Sequence, residues 1–177
     1  MKILITGSRK YGLCEAMCNL FDTMSNIEYE TASRSNGYFL DTSEGQKKLA
    51  EYYIEGNFDI FINNSAIWKF QQVMIVETVF NAMEEANRKG HIINIGSTAD
   101  TGVKGRTWRY PTEKKALKAY NRDLTYKAMG GSNIKTTLIS PGSLTTSSVM
   151  KKHPDRKLID VEYMNPNMKV IQYSRSR

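Results

Sequence analysis

Short apolar or β-branched runs alternate with longer amphipathic stretches along most of this chain. That rhythm belongs to βαβ units built around a parallel sheet. Runs such as Ile3-Leu4-Ile5 and Ile92-Ile93-Asn94-Ile95 are apolar with little or no polar alternation, as expected of strands covered by helices on both faces. The pattern predicts strands over 2–5, 28–32, 37–40, 59–62, 91–95, 136–139 and 169–173. Helices are predicted over 12–24, 43–55, 71–89 and 110–129. The fold class is therefore α/β, a doubly wound parallel sheet in three α/β/α layers.

Local signals set the expected boundaries. Ser43 with Gln46 has the form of a capping box. Gly90 after Arg88-Lys89 marks a helix end with cations on its last turn, and Gly130-Gly131 ends the following helix in the same way. No linker, repeat or low-complexity stretch interrupts the chain, so residues 1–177 are expected to form a single domain.

Composition narrows the function classes. The chain has 177 residues, 40% of them apolar, enough for one buried core. The formal charge is +7, yet the cations fall in scattered pairs such as Lys47-Lys48, Lys114-Lys115 and Lys151-Lys152. A nucleic-acid binder concentrates charge on one face and interleaves aromatics, so no nucleic-acid partner is expected. A basic surface still attracts a phosphate-rich ligand. No apolar run reaches the roughly 18 residues of a membrane span, so no membrane partner is expected. The N-terminal run reads as a first strand and not as a signal peptide. Cys14 and Cys18 lie four apart on the first helix and, with only His91 and His153 as histidines, read as buried reduced thiols and not as a zinc site. A reducing, cytoplasmic setting is the expectation.

The first strand runs into Thr6-Gly7-Ser8-Arg9-Lys10-Tyr11-Gly12 and then a helix. Glycines at such a turn let backbone N–H groups approach a pyrophosphate, and the helix N-terminus favours its negative charge. The second strand ends in Ala32-Ser33-Arg34. An acidic residue there would accept ribose hydroxyls, whereas an arginine suits a 2′-phosphate.

Two further blocks carry chemistry. Tyr110 and Lys114, four apart, share one helix face. A free phenol gives up its proton only near pH 10, and a neighbouring ammonium favours the phenolate. Ser97 precedes Tyr110 by thirteen residues, at the end of a strand. After the sixth predicted strand comes Ser140-Pro141-Gly142-Ser143-Leu144-Thr145-Thr146.

Taken in order, these blocks resemble the short-chain dehydrogenase/reductase family. The turn at residues 6–12 is similar to T-G-x-x-x-G-x-G with one residue fewer, Lys10 standing where the middle glycine would be. Asn63-Asn64-Ser65-Ala66 is similar to N-N-A-G, and Pro141-Gly142 through Thr146 to P-G-x-x-x-T. The resemblance implies a Rossmann-type fold and hydride exchange between a nicotinamide and a carbonyl/alcohol substrate. It implies Ser97, Tyr110 and Lys114 as catalytic residues, with Lys114 also holding the nicotinamide ribose. It places the cofactor against Gly7, Ser8, Arg9, Lys10, Tyr11, Gly12, Arg34, Asp41, Thr42, Asn64, Ser65 and Ala66. Beyond these come Tyr110, Lys114, Pro141, Gly142, Leu144 and Thr146, with Leu144 binding through its backbone. Arg9 and Arg34 favour NADP, with NAD as the other candidate.

The chain departs from the family in three places. These are Lys10, a shortened C-terminal substrate region over about 147–177, and a missing relay asparagine near Phe70-Gln71-Gln72-Val73, where Gln71 and Gln72 are open as substitutes. The departures keep open a second reading, a dinucleotide-binding sensor or scaffold without turnover. An epimerase or dehydratase acting on nucleotide sugars would need a substrate domain for which this chain has no room. Assembly as a homodimer or homotetramer is expected from the resemblance. Val73, Val76, Val79 and Phe80 are open to either core or interface use.

Overall fold

The computed structural model describes residues 1–101, 109–142 and 144. The expected strand at 169–173, the pocket segment 103–108 and the lid region 147–167 lie outside the described residues, as does Thr146.

Among the described residues five strands form one parallel sheet: β1 (Lys2–Thr6), β2 (Glu28–Ala32), β3 (Ile60–Asn63), β4 (Gly90–Ile95) and β5 (Ile134–Ile139). Their order is β2-β1-β3-β4-β5. The helices are α1 (Gly12–Phe21), α2 (Ser43–Glu55), α3 (Gln71–Glu85) and α4 (Arg109–Met129). This is a Rossmann-type α/β fold. Strand order reverses between β1 and β3, and in such sheets ligands bind outside the strand ends at that reversal.

Two apolar cores hold the layers together. One joins β1, β3 and β4 to α2, α3 and α4 through Leu4, Phe61, Ile92, Tyr53, Phe80 and Leu117. The other packs Ile3, Ile5 and Ile62 against Cys14 and Cys18 of α1. Both thiols are buried and free. Val76, Val79 and Phe80 are fully buried within the single chain, and Val73 is partly buried against the same cluster. On α3 this stripe therefore serves the core. Among the described residues, no helix is long and apolar enough to cross a membrane.

Three local expectations are corrected. Residues 37–40 form no strand, because their backbone groups are satisfied locally. Gly37 is left-handed at φ +89 and closes a 3-10 turn over Arg34–Asn36; the Tyr38 N–H returns to the Ser33 carbonyl, and the Leu40 carbonyl accepts the Gln46 side chain at 3.0 Å. The cap of α2 is Thr42 and not Ser43, its hydroxyl accepting the Gly45 N–H at 3.1 Å. Finally, α3 stops at Glu85, well before Gly90, which opens β4. Asn87 takes the left-handed position at φ 48, and the Asn87 and Arg88 N–H groups return to Glu84 and Met83. Asparagine tolerates that conformation, so it ends the helix where glycine was expected to.

Phe80 has no exposed surface and lies at the centre of the larger core. Phe80→Ala should lower unfolding stability by roughly 3–5 kcal/mol, measured by urea denaturation. A loss under about 1 kcal/mol would mean that α3 does not pack as described.

Candidate active site

The turn after β1 is tied to the turn after β3 by one hydroxyl. Buried Thr6 accepts the N–H groups of Asn64 and Ser65 at its Oγ1, at 2.9 and 3.0 Å. The Asn64 amide returns to the Thr6 carbonyl at 3.0 Å. Gly7 then takes φ +137 while donating to the Ala32 carbonyl of β2 at 2.9 Å. A Cβ at Gly7 would lie 2.8 Å from Asn64 Nδ2 and 3.2 Å from Cys14 Cβ, so both conformation and space demand glycine. Three strand ends meet at the topological reversal. Ala66 follows two residues on, at the edge of a small pocket beside Tyr110.

Helix α1 begins at Gly12, φ 60, and its N-cap Tyr11 supplies no side-chain hydrogen bond. The first N–H groups of α1 are thus left without a side-chain cap, the arrangement that receives anionic groups. Ser8 Oγ accepts the Lys10 N–H at 3.3 Å, and the Lys10 side chain is exposed. Arg9 turns away from the loop: it pairs with Asp22 at 2.5 Å and lies over the Tyr29 ring. Arg34, at the end of β2, pairs with Asp41 at 2.7 Å and stands over Phe39. That guanidinium holds the Asp41 carboxyl below its ordinary range. Thr42 is spent on capping α2.

The second cluster surrounds Lys114. Its ammonium, nearly fully buried, donates to Gln72 Oε1 at 2.7 Å and to the Ile95 carbonyl at 2.8 Å. It also lies 5.6 Å from the centre of the Tyr110 ring. The Gln72 amide donates in turn to the carbonyls of Asn63 and Ile95 at 2.8 and 3.1 Å. The Asn63 side chain donates to the Gln72 carbonyl and to Asn94, which donates to Asn121 of α4. Gln72, one of the two glutamines open to replace the missing relay asparagine, is the one that meets the buried lysine. Its signal was helical phase: it shares one face of α3 with Val76, Val79 and Met83, a polar residue in an otherwise apolar stripe. Gln71, one residue earlier, instead bonds Gln46.

Ser97 follows β4 and accepts the Ala99 N–H at 3.2 Å. The turn it opens is fixed from two sides. Asp100 pairs with Lys118 of α4 at 3.1 Å, and the Thr98 N–H donates to the Pro141 carbonyl at 3.0 Å. A Cβ at Gly96 would meet Ser140 Oγ at 2.7 Å, so β4 and β5 leave the sheet in close contact. Gly142 follows Pro141, and Leu144 is buried. The structure thus brings Tyr110, Lys114 and Gln72 together, with Ser97 on an adjoining turn and the glycine loop across the β1/β3 reversal. Arg9, turned to Asp22, and Thr42, spent on the α2 cap, are expected residues engaged elsewhere.

The family model for short chain dehydrogenases matches residues 66–157, more than half of the chain. The chain belongs to this family. No curated protein matches it by sequence. Solved structures match by fold. The 3-alpha-hydroxysteroid dehydrogenase of Pseudomonas sp. B-0831, complexed with NADH, shares 15% identity at a TM-score of 0.74, covering 92% of this chain and 85% of that one. A short chain dehydrogenase of Burkholderia cenocepacia, in complex with NADP, shares 12% at 0.72, covering 90% and 79%. A serine dehydrogenase complexed with NADP+ shares 17% at 0.69, covering 92% and 85%.

In this family member the buried ammonium is costly. Burial lowers the Lys114 pKa from 10.5 to about 8, with Glu113 opposing the shift. Between those values the unfolded chain binds more protons than the folded one, so stability rises with pH. The penalty is absent above pH 10.5 and grows as pH falls, reaching its full size below about 8. At about 1.4 kcal/mol per pKa unit it amounts to roughly 3 kcal/mol. Measured as the difference between the parent protein and Lys114→Met, stability should climb by about that amount from pH 7.5 to 10.5. A flat difference would show that the lysine is not buried as an ammonium. Gln72→Ala removes an acceptor from that ammonium and the side-chain donor of the Asn63 carbonyl, while Ile95 keeps its bond from Lys114; it should cost about 2–4 kcal/mol. Gln72→Asn should recover only part of this, since it is one methylene short of Lys114.

Proposed function

We propose that this family member is an NAD(P)-dependent oxidoreductase acting on a small carbonyl/alcohol substrate, with Ser97, Tyr110 and Lys114 as its catalytic residues. The observation that supports it most is the Lys114 ammonium, buried between Gln72 and Ile95 on the helix face it shares with Tyr110. A structural lysine gains little from such a position, because its desolvation is costly. A lysine that must favour a phenolate needs that position.

The residues at the β1/β3 reversal suit a dinucleotide. Gly7 keeps side-chain bulk off the turn, and the uncapped start of α1 offers N–H groups to a pyrophosphate. When bound, the nicotinamide supplies or accepts the hydride. Tyr110 then gives a proton to the carbonyl oxygen, or takes it from the alcohol. Ser97 hydrogen-bonds the same oxygen, and Lys114 keeps its positive charge beside the Tyr110 ring while holding the nicotinamide ribose. Pro141, Gly142 and Leu144 are assigned to the nicotinamide side, and Thr146 joins them on the family resemblance alone.

NADP is the preferred form in this reading. The end of β2 carries Ala32-Ser33-Arg34 with no acidic residue, and Arg34 pairs with an exposed carboxylate, Asp41. A 2′-phosphate would take over that guanidinium. The second reading, binding without turnover, draws on Lys10, whose long side chain stands in the glycine loop. A homodimer or homotetramer in a cytoplasmic setting completes the proposal.

A titration with NADPH and NADH followed by a carbonyl screen tests it. Tyr110→Phe should keep nicotinamide affinity within about threefold and lower turnover by roughly 10²–10⁴-fold. Arg34→Ala should weaken NADPH about tenfold or more while sparing NADH. Absence of nicotinamide binding at millimolar concentration would sink the proposal. Binding with no turnover of any carbonyl would leave the sensor reading.

A further inference from the structure

Next to Tyr110 and Lys114 lies a pocket of about 130 Å³. Cavities of about 150 Å³ with apolar walls admit one benzene ring. Its walls are mostly apolar: Ala66, Ile67, Trp68, Phe70 and Val73. The Trp68 ring meets Tyr110 edge-on, with centroids 6.5 Å apart at 75°.

Apart from the Tyr110 hydroxyl, which the proposed reaction uses, the polar side chains of the lining are engaged with the protein. Gln72 spends its amide on two carbonyls and its oxygen on Lys114. Lys114 donates to Gln72 and Ile95. Glu113 accepts the Lys69 N–H and the Arg109 side chain, both at 2.9 Å. A carboxylate entering here would lose its water beside Glu113, while the two nearby cations are already committed, Arg109 to Glu113 and Lys114 to Gln72 and Ile95. An apolar group loses nothing and gains aromatic walls.

The wall itself is held in a strained form. Lys69 and Phe70 stand in succession at φ 65 and 60, a left-handed conformation uncommon for bulky residues and often found at functional sites. The Lys69 N–H to Glu113 bond ties that turn to the helix carrying Tyr110 and Lys114. Trp68 and Phe70, on either side of it, remain exposed at the pocket rim.

We propose that this pocket receives the substituent on the substrate carbonyl, and that the substituent is an uncharged ring or short branched alkyl group and not a carboxylate. The inference rests on the oxidoreductase reading above for its link to turnover, though not for the pocket's own preference. Glu113 acts in it as a positioning residue for the aromatic wall.

Acetophenone and pyruvate, two methyl ketones that differ by a ring against a carboxylate, make the test with NADPH and the full chain. The expected kcat/KM favours acetophenone by roughly 100-fold, in the range one well-matched pocket supplies. Trp68→Ala should reduce that ratio about tenfold. Glu113→Ala, which frees the Lys69-Phe70 turn, should reduce it in the same direction through KM more than kcat. Equal or better use of pyruvate, or a ratio unmoved by both variants, overturns the proposal. Saturation-transfer NMR with 1-phenylethanol and lactate, without cofactor, reads the pocket directly. Transfer to 1-phenylethanol that Trp68→Ala weakens supports the proposal even if nicotinamide fails to bind, in which case only the oxidoreductase reading falls. No transfer to 1-phenylethanol, or equal transfer to lactate, overturns it even where nicotinamide binds.

Discussion

The buried ammonium of Lys114 depends on a chain of amides that crosses the middle of the molecule. Asn63 at the end of β3, Asn94 in β4, Gln72 at the start of α3 and Asn121 in α4 are all nearly free of solvent. They bond one another in sequence, and Gln72 passes the chain on to Lys114. In an apolar interior each of these groups would cost about 1–3 kcal/mol if left unpaired. The network therefore behaves as a unit: either the four elements adopt this register or several polar groups lose their partners together. It fixes α3 and α4 against the strand ends, and so places Tyr110.

A second, smaller clasp does the same for the other half of the site. Thr6, Gly7 and Asn64 bind the turns after β1 and β3 to each other, and Gly7 carries the bond on to β2. The two devices share Asn63-Asn64, adjacent residues on one short turn. Asn63 faces the network under Lys114, and Asn64 faces the glycine loop. One dipeptide thus relates the dinucleotide side of the site to the side where the phenol stands.

Local sequence signals were readable where a residue's chemistry allows one main use. Apolar runs became β1, β3 and β4, and Gly130-Gly131 closed α4. They were misread where two residue types can serve the same purpose. Thr42 capped α2 in place of Ser43 because both offer a hydroxyl, and Asn87 ended α3 because asparagine also accepts left-handed backbone. The run at 37–40 failed as a strand for a different reason. A strand needs a neighbour to satisfy its N–H and C=O groups, and here Ser33 and Gln46 supplied those partners first.

By itself, the sequence determined the α/β class, the glycine turn at the end of β1 and the pairing of Tyr110 with Lys114, since each follows from residue type and a fixed period along the chain. Tertiary structure alone decided what surrounds them. Gln72 takes the lysine because α3 crosses Ile95 at that point, Arg9 leaves the loop because Asp22 lies within reach, and Glu113 holds the Lys69-Phe70 turn. Those partners come from distant parts of the chain, and no local period brings them together. Spacing set which groups share a face; packing set what that face meets.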